Sequence, residues 1–357
     1  MKFQSLKLHF QSVENAYLAN KNQLEPILGF KLTEKFIEFR KKFDPQKEIE
    51  KLQKNGITIL TVVDEDYPDS LKNISDSPIC IYLKGNATIF NIQKRKLLGK
   101  KSNASDYQIF FGIVGTRKPT SYGQQIARKF SHELAETGFI IVSGMAMGID
   151  TIAHQSALDI GAKTIAVLGC GVNIIYPAIN RYLYERIIKT GSAVISEFPP
   201  NQTVLKGLFI SRNRIISGLS KGVLVVEGGE NSGALITAKH AGIQGKDVFA
   251  VPSSINSDMS KAPNLLIKQG AKLVTRIEDI YEEFNMRILP KRVDDVKKIL
   301  SEKERLIFDI LQENPQTIDD VAIKLNKTVS EILNIISMME IKGTVEKNQE
   351  NKYQIII

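Results

Sequence analysis

Residues 110–158 read FFGIVGTRKPTSYGQQIARKFSHELAETGFIIVSGMAMGIDTIAHQSAL. Phe110–Val114 and Phe139–Val142 are short apolar runs, and each is followed at once by a turn of small residues. Between them, in Tyr122–Thr137, Ile126, Phe130, Leu134 and Ala135 recur at helical spacing. Apolar runs of the same kind follow at Thr164–Leu168, Ala193–Ile195, Gly222–Val226 and Asp247–Val251, with amphipathic stretches between them. Strands that are apolar throughout and alternate with helices belong to a parallel sheet covered on both faces. The expected fold class is therefore α/β, an extended Rossmann-like doubly wound parallel sheet over residues 110–287.

The flanks read differently. In residues 1–85, Leu24, Ile27, Leu28, Leu32, Phe36, Ile37 and Phe39 suggest short helices, and Ile57–Leu60 a strand. Residues 86–109 are polar and basic, as expected of an exposed loop or hairpin. In 288–357, helical patterns at Glu302–Gln312, Ile318–Leu325 and Ser330–Ile341 precede a hairpin of Thr344-Val345 with Tyr353–Ile357, a winged-helix outline in which Thr328 or Ser330 caps the third helix.

The 357 residues include 48 Lys+Arg against 39 Asp+Glu, a net charge of +9 that points to a polyanionic partner, nucleic acid first. By segment the balance is +5 for 1–109, +5 for 110–290 and −1 for 291–357, so the attraction resides in the first two parts. No apolar run approaches the ~18 residues of a membrane span, and the opening MKFQSLKLHFQSVENAY is too interrupted for a signal peptide. Two distant cysteines, Cys80 and Cys170, exclude a disulfide scaffold or a zinc finger and fit a reducing cytoplasm.

Ligands of doubly wound folds sit at the carboxyl ends of the strands, where backbone N–H groups and helix N-termini collect anions. The first such end is Gly115-Thr116-Arg117, with a guanidinium at the tip. It lacks GxGxxG and a following ribose-binding acid, which argues against a dinucleotide. The second, Ser143–Asp150, brings two glycines before a helix. There Asp150 reads as a cap, and His154 as a hydrogen-bonded structural histidine, since no third metal ligand accompanies the pair. At the third, Cys170 between Gly169 and Gly171 has no basic neighbour and reads as small-residue packing. Lys206–Ile216 is the richest: Lys206, Arg212 and Arg214 surround Phe209, the mixture that binds single-stranded nucleic acid through phosphates and a stacked base. In the last, Glu227–Thr237, the groups of Ser232, Gly233 and Thr237 could donate to a phosphate, and Glu227 and Glu230 would repel it.

The stretches IVGTRKPTSYG, SGMAMGIDTIAHQSAL, GCGVNIIYPAIN, SRNRIISGLS and SGALITAKHA with VFAVP resemble the DNA-processing protein A family (DprA/Smf), in family order and across nearly all of 110–287. The resemblance implies a cytoplasmic protein that is not an enzyme, binds and protects single-stranded DNA and loads RecA recombinase in natural transformation or recombination. It further implies a homodimer through the Rossmann domain and an N-terminal helical domain resembling a sterile alpha motif; neither a cofactor, a metal nor a membrane partner is expected. Carried over residue by residue, it implies a pocket of Gly115, Arg117, Ser143, Gly144, Gly171, Lys206, Phe209, Arg212, Asn213, Ser232, Gly233 and Thr237, with Arg117, Lys206 and Arg212 neutralising phosphates. The sequence departs from the family pattern at Ile210, Ser253 and Ala262-Pro263. The alternative is a nucleotide-binding or nucleotide-hydrolysing protein resembling phosphoribohydrolases, of whose glycine-rich motif Gly228-Gly229 remain.

Overall fold

The computed structural model describes residues 2–90, 109–286, 300–348 and 351–355. Most of the expected basic loop (91–108) and the start of the expected winged-helix segment (288–299) lie outside the described residues. The chain divides into two compact units, residues 1–280 and 281–357.

The first unit opens with five helices, α1 (Lys2–Phe10), α2 (Val13–Leu18), α3 (Lys21–Leu28), α4 (Phe30–Lys42) and α5 (Pro45–Lys54). Leu24 and Leu28 are buried, with Phe36 and Ile37 packed against them. There follow β1 (Thr58–Thr61), α6 (Asp69–Lys72), β2 (Cys80–Gly85), β3 (Phe110–Val114), α7 (Ser121–Glu136), β4 (Ile140–Ser143), α8 (Ile149–Asp159), β5 (Thr164–Leu168), a 3-10 turn (Ala178–Asn180), α9 (Arg181–Lys189), β6 (Ala193–Ser196), α10 (Lys206–Leu219), β7 (Gly222–Val225), α11 (Gly233–Ile243), β8 (Asp247–Ala250), α12 (Lys261–Lys268), β9 (Lys272–Leu273) and α13 (Glu278–Glu283).

All nine strands form one sheet in the order β1-β2-β6-β5-β4-β3-β7-β8-β9. From β6 to β9 every pairing is parallel, whereas β1–β2 and β2–β6 are antiparallel. The N-terminal lead-in thus extends the Rossmann sheet rather than standing apart from it, with Tyr82 opposite Ser196. Within β5, Ile165 and Val167 belong to the core on one face and Ala166 and Leu168 to the core on the other. That two-sided burial explains why such strands are apolar at every position. The chain runs from β3 outward to β4, β5 and β6, then returns to place β7 on the other side of β3. The order reverses between β3 and β7, so a crevice opens beyond their carboxyl ends.

The second unit contains α14 (Glu302–Glu313), α15 (Ile318–Leu325), α16 (Val329–Ile341) and an antiparallel pair, β10 (Val345–Lys347) with β11 (Tyr353–Ile355). Each helix starts with a capping box, Ser301 with Glu304, Thr317 with Asp320 and Thr328 with Glu331, so Thr328 is the cap of the third. Ile307, Phe308, Leu311, Ile332, Ile336 and Met339 form its core.

Candidate nucleic-acid interface

A cleft of ≈ 750 Å³ occupies the crevice beyond β3 and β7. On the β3 side, a side chain at Gly115 would place Cβ 2.6 Å from Ile149 Cγ1 and 2.9 Å from the Glu227 carbonyl oxygen. Glycine is therefore required for this turn to approach α8 and the end of β7. The turn is fixed by Thr116 N–H donating to Glu227 O at 2.8 Å and Ile149 N–H to Thr116 O at 3.2 Å. Arg117 is exposed at its tip, with its guanidinium carbon 5.9 Å from the centroid of Phe209. The Tyr176 ring lies 5.4 Å from that of Phe209, tilted by 38°, and also lines the cleft. One exposed cation and two aromatic faces therefore converge on a single wall.

Helix starts also line the cleft. Lys206 is the first residue of α10, whose N-terminus has no side-chain cap, and the exposed first turn points positive partial charge at the cleft. Ser232 caps α11, accepting from Ala234 N–H at 3.3 Å. Asn213 ties the two helices together, its Nδ2 donating to Gly233 O at 3.3 Å. The Thr237 hydroxyl lines the cleft but donates back to Gly233 O at 3.4 Å.

The structure gives Arg212 a different role from the phosphate-facing one expected from sequence. It is only 4% exposed. Its guanidinium donates to Gly144 O at 2.7 Å and to Val167 O, and a Cβ on Gly144 would lie 2.6 Å from it. Asp150 holds the same turn from the other side, accepting from Gly144 N–H at 3.1 Å and Ala146 N–H at 3.3 Å. Between these contacts Met145 sits buried at φ 61°, in the left-handed region that costs a non-glycine residue about 1–3 kcal/mol. The turn keeps that conformation because Asp150, Arg212 and Asn180, which donates to Met145 O at 2.8 Å, all grip its backbone. Burial raises the Asp150 pKa and lowers that of Arg212 to about 10, each opposed by the other's charge. Arg212 thus borders the cleft from beneath and shapes its floor.

Three other expected pocket residues serve packing. The Ser143 hydroxyl is buried and donates to Ile113 O at 2.6 Å. Gly144 lies under the Arg212 guanidinium. Gly171 is pressed against the 199–202 loop, where a Cβ would lie 2.7 Å from Pro199 O. Glu227 does not face a ligand as a repelling charge: it is 1% exposed and turned toward the start of α7, accepting from Thr120 N–H at 2.9 Å and the Thr120 hydroxyl at 2.6 Å. Its burial removes Glu227 from the objection that sequence raised against this loop, whereas Glu230 is exposed, as expected. Tyr176 is a cleft-lining ring that sequence reasoning left out of the pocket, although it stands in the GCGVNIIYPAIN stretch after β5. Of the departures from the family pattern, Ile210 is exposed at the cleft, Ser253 is bound through Asn264, whose Nδ2 donates to Ser253 O at 3.1 Å, and Ala262 packs beneath Gly228.

Neither His154 nor Cys170 is poised for chemistry. Burial raises the Cys170 thiol to about 11. His154 is fully buried with Nδ1 2.7 Å from Thr164 Oγ1. Because the Thr164 hydroxyl donates to Ile141 O, the histidine carries its proton on Nδ1, and Nε2 is left buried without a partner. Burial holds its pKa at about 3. An unfolded chain takes up this proton near pH ~6.5, long before the native protein does. Stability should therefore be steady above that pH and fall progressively toward pH 3, by up to about 1.4 kcal/mol per pH unit. Thermal unfolding of the native chain and His154→Gln between about pH 4 and 7 checks this, and parallel pH profiles would refute it. Among the described residues, no three His, Cys, Asp or Glu side chains are grouped to hold a metal, and no helix is long and apolar enough to cross a membrane.

Comparison with known proteins places this architecture. The model of the family DNA recombination-mediator protein A matches residues 58–285, and that of the DprA winged helix domain matches 294–349. The chain belongs to the DNA recombination-mediator protein A family. It is similar to Protein Smf of Synechocystis sp., at 40% identity over 75% of this chain, and the match spans 65% of that relative's length, just under two thirds. The X-ray structure of DNA processing protein A from Streptococcus pneumoniae superposes with a TM-score of 0.67 at 33% identity, covering 79% of this chain and 92% of that one. DNA processing protein A from Helicobacter pylori, whose structure is described by its single-stranded DNA binding mode, superposes with a TM-score of 0.53 at 28% identity, covering 64% and 95%. The family model takes in β1 and β2, consistent with their place in the sheet. In the winged-helix unit, α16 (VSEILNIISMMEI) carries two glutamates and no lysine or arginine, a poor match to a duplex groove.

Proposed function

We propose that this chain is a recombination mediator that binds single-stranded DNA in the β3–β7 cleft and has no chemistry of its own. The observation that carries this reading is the convergence of the Arg117 guanidinium, the Phe209 and Tyr176 rings and the open N-terminus of α10 on one cleft. Arg117 and Lys206 neutralise phosphates, backbone N–H groups at the helix starts add donors, and Phe209 with Tyr176 offers faces on which an unpaired base stacks. Duplex DNA keeps its bases paired and cannot use those faces. Family membership supports the rest of the role: protection of the strand, its delivery to RecA recombinase in transformation or recombination, and a cytoplasmic homodimer formed through the Rossmann unit. The pocket comprises Gly115, Arg117, Lys206, Phe209, Asn213, Ser232, Gly233 and Thr237, supported from below by Arg212.

Fluorescence anisotropy with oligo-dT and a duplex of equal length, over a salt series, tests this reading. Two phosphates neutralised on a single strand give a log–log salt slope of about −1.4, at roughly −0.7 per phosphate. Preference for oligo-dT with a slope at least that steep is expected. Equal affinity for the duplex, or binding indifferent to salt, would overturn the reading, and release of free base from nucleoside monophosphates would favour the phosphoribohydrolase alternative.

A further inference from the structure

Just outside the cleft, the chain between β5 and β6 displays side chains that packing does not explain. Tyr176 is 40% exposed, Ile179 78% and Tyr182 75%. They recur every third residue through the 3-10 turn and into the first turn of α9. In 3-10 geometry, residues three apart eclipse one another, so Ile179 and Tyr182 project from the same side. The opposite side of α9 does the packing, through buried Leu183, Tyr184 and Ile187. The ladder is also rigidly attached to the cleft. Asn180, only 6% exposed, donates at 2.8 Å to both Met145 O and Thr151 Oγ1, which fastens the turn to the 144–146 segment whose Ala146 lines the cleft. Single exposed apolar side chains are ordinary on protein surfaces. An exposed apolar row with a tyrosine at each end, the first on the cleft wall and the last beside an exposed arginine, Arg181, is the combination that tracks a single strand.

We propose that a strand leaving the cleft continues over Tyr176, Ile179 and Tyr182, stacking a base on Tyr182 while Arg181 takes a backbone phosphate. This rests on the single-strand reading of the cleft and extends it by a second subsite. From Ile179 to Tyr182 the path is roughly 6 Å, at ~2 Å per residue, room for about two stacked nucleotides at ~3.4 Å each. The exposed carboxylate of Glu185, the next rung three residues on, repels phosphate and ends the track.

The test uses the full chain and two oligo-dT probes, one of about 6 nucleotides that fills the cleft and one of about 15 that reaches the ladder. Ile179→Ala/Tyr182→Ala should bind the short probe as the native protein does and the long probe about tenfold more weakly. Arg181→Ala should also weaken the long probe and flatten its salt slope, whereas Tyr182→Phe should retain native affinity for both. Both substituted side chains are largely in solvent, so folding is expected to be unaffected, and thermal unfolding verifies it. If the native chain binds neither probe, the single-strand reading of the cleft falls and the ladder with it. If the native chain binds both and the double variant holds the long probe equally well, the cleft stands and the ladder is overturned. Unchanged binding with altered sedimentation would assign the surface to a second copy of the chain, also overturning the ladder.

Discussion

Replacing Arg212 by methionine should cost about 3–5 kcal/mol of stability, the usual penalty for removing one member of a buried charged pair. The expectation follows from what the guanidinium does. It satisfies the carbonyls of Gly144 and Val167 beneath the cleft and balances the buried Asp150 carboxylate. Without it, a buried carboxylate loses its nearby opposite charge, two carbonyls lose a donor, and Met145 must hold its left-handed conformation with one clamp fewer. For a unit of this size each kcal/mol moves the melting temperature by about 2–4 °C, so a fall of roughly 10 °C is expected. Arg212→Lys keeps the charge and loses the two-pronged fork, so it should fall between. A melting temperature within a degree or so of the native one in Arg212→Met would show that the guanidinium is dispensable to the fold and restore its role as an outward phosphate ligand.

Arg117 should behave in the opposite way. It is exposed and its contact in the cleft is with the Phe209 ring, so Arg117→Ala should leave the melting temperature nearly unchanged. A hydrogen bond to a charged group contributes about 1.5–3 kcal/mol, and its loss should weaken oligo-dT binding by roughly 10- to 150-fold. The log–log salt slope should become shallower by about 0.7. Arg117→Glu should reduce affinity further, because it adds repulsion at the same point. The Arg117→Ala/Lys206→Ala pair is the stricter trial: native affinity in that protein would remove the cleft from consideration, whatever else binds. The two arginines thus separate cleanly, one read by calorimetry and the other by titration.

Much of the fold is legible in the amino-acid order itself, for identifiable reasons. Phe110–Val114 and Thr164–Leu168 match β3 and β5 at both ends, because a strand buried on both faces is apolar throughout and stops where small or polar residues begin. The turn after β3 is legible because Gly115 there answers to crowding by Ile149 and the Glu227 carbonyl. The antiparallel addition of β1 and β2 to β6 is not, since a pairing such as Tyr82 with Ser196 leaves no local trace. The charge of Arg212 suggests an outward side chain. Yet it precedes Ile215, Ile216 and Leu219 at helical intervals, so periodicity alone places it on the buried face of α10. Glu227 looks like a repelling charge in sequence because its partner, Thr120, is more than a hundred residues away.

The placement of β3 at the centre of the parallel part of the sheet has a consequence for how the protein is made. Gly112 pairs with Val142 on one side and with Val223 on the other. The first partnership can form soon after synthesis passes β4, whereas the second waits for the chain to grow by another eighty or so residues. One flank of β3 is therefore an unsatisfied strand edge during elongation, the kind of surface on which nascent chains associate wrongly. The cleft beyond β3 and β7 is the seam closed by that late event, so an incomplete polypeptide lacks it until β7 has joined β3.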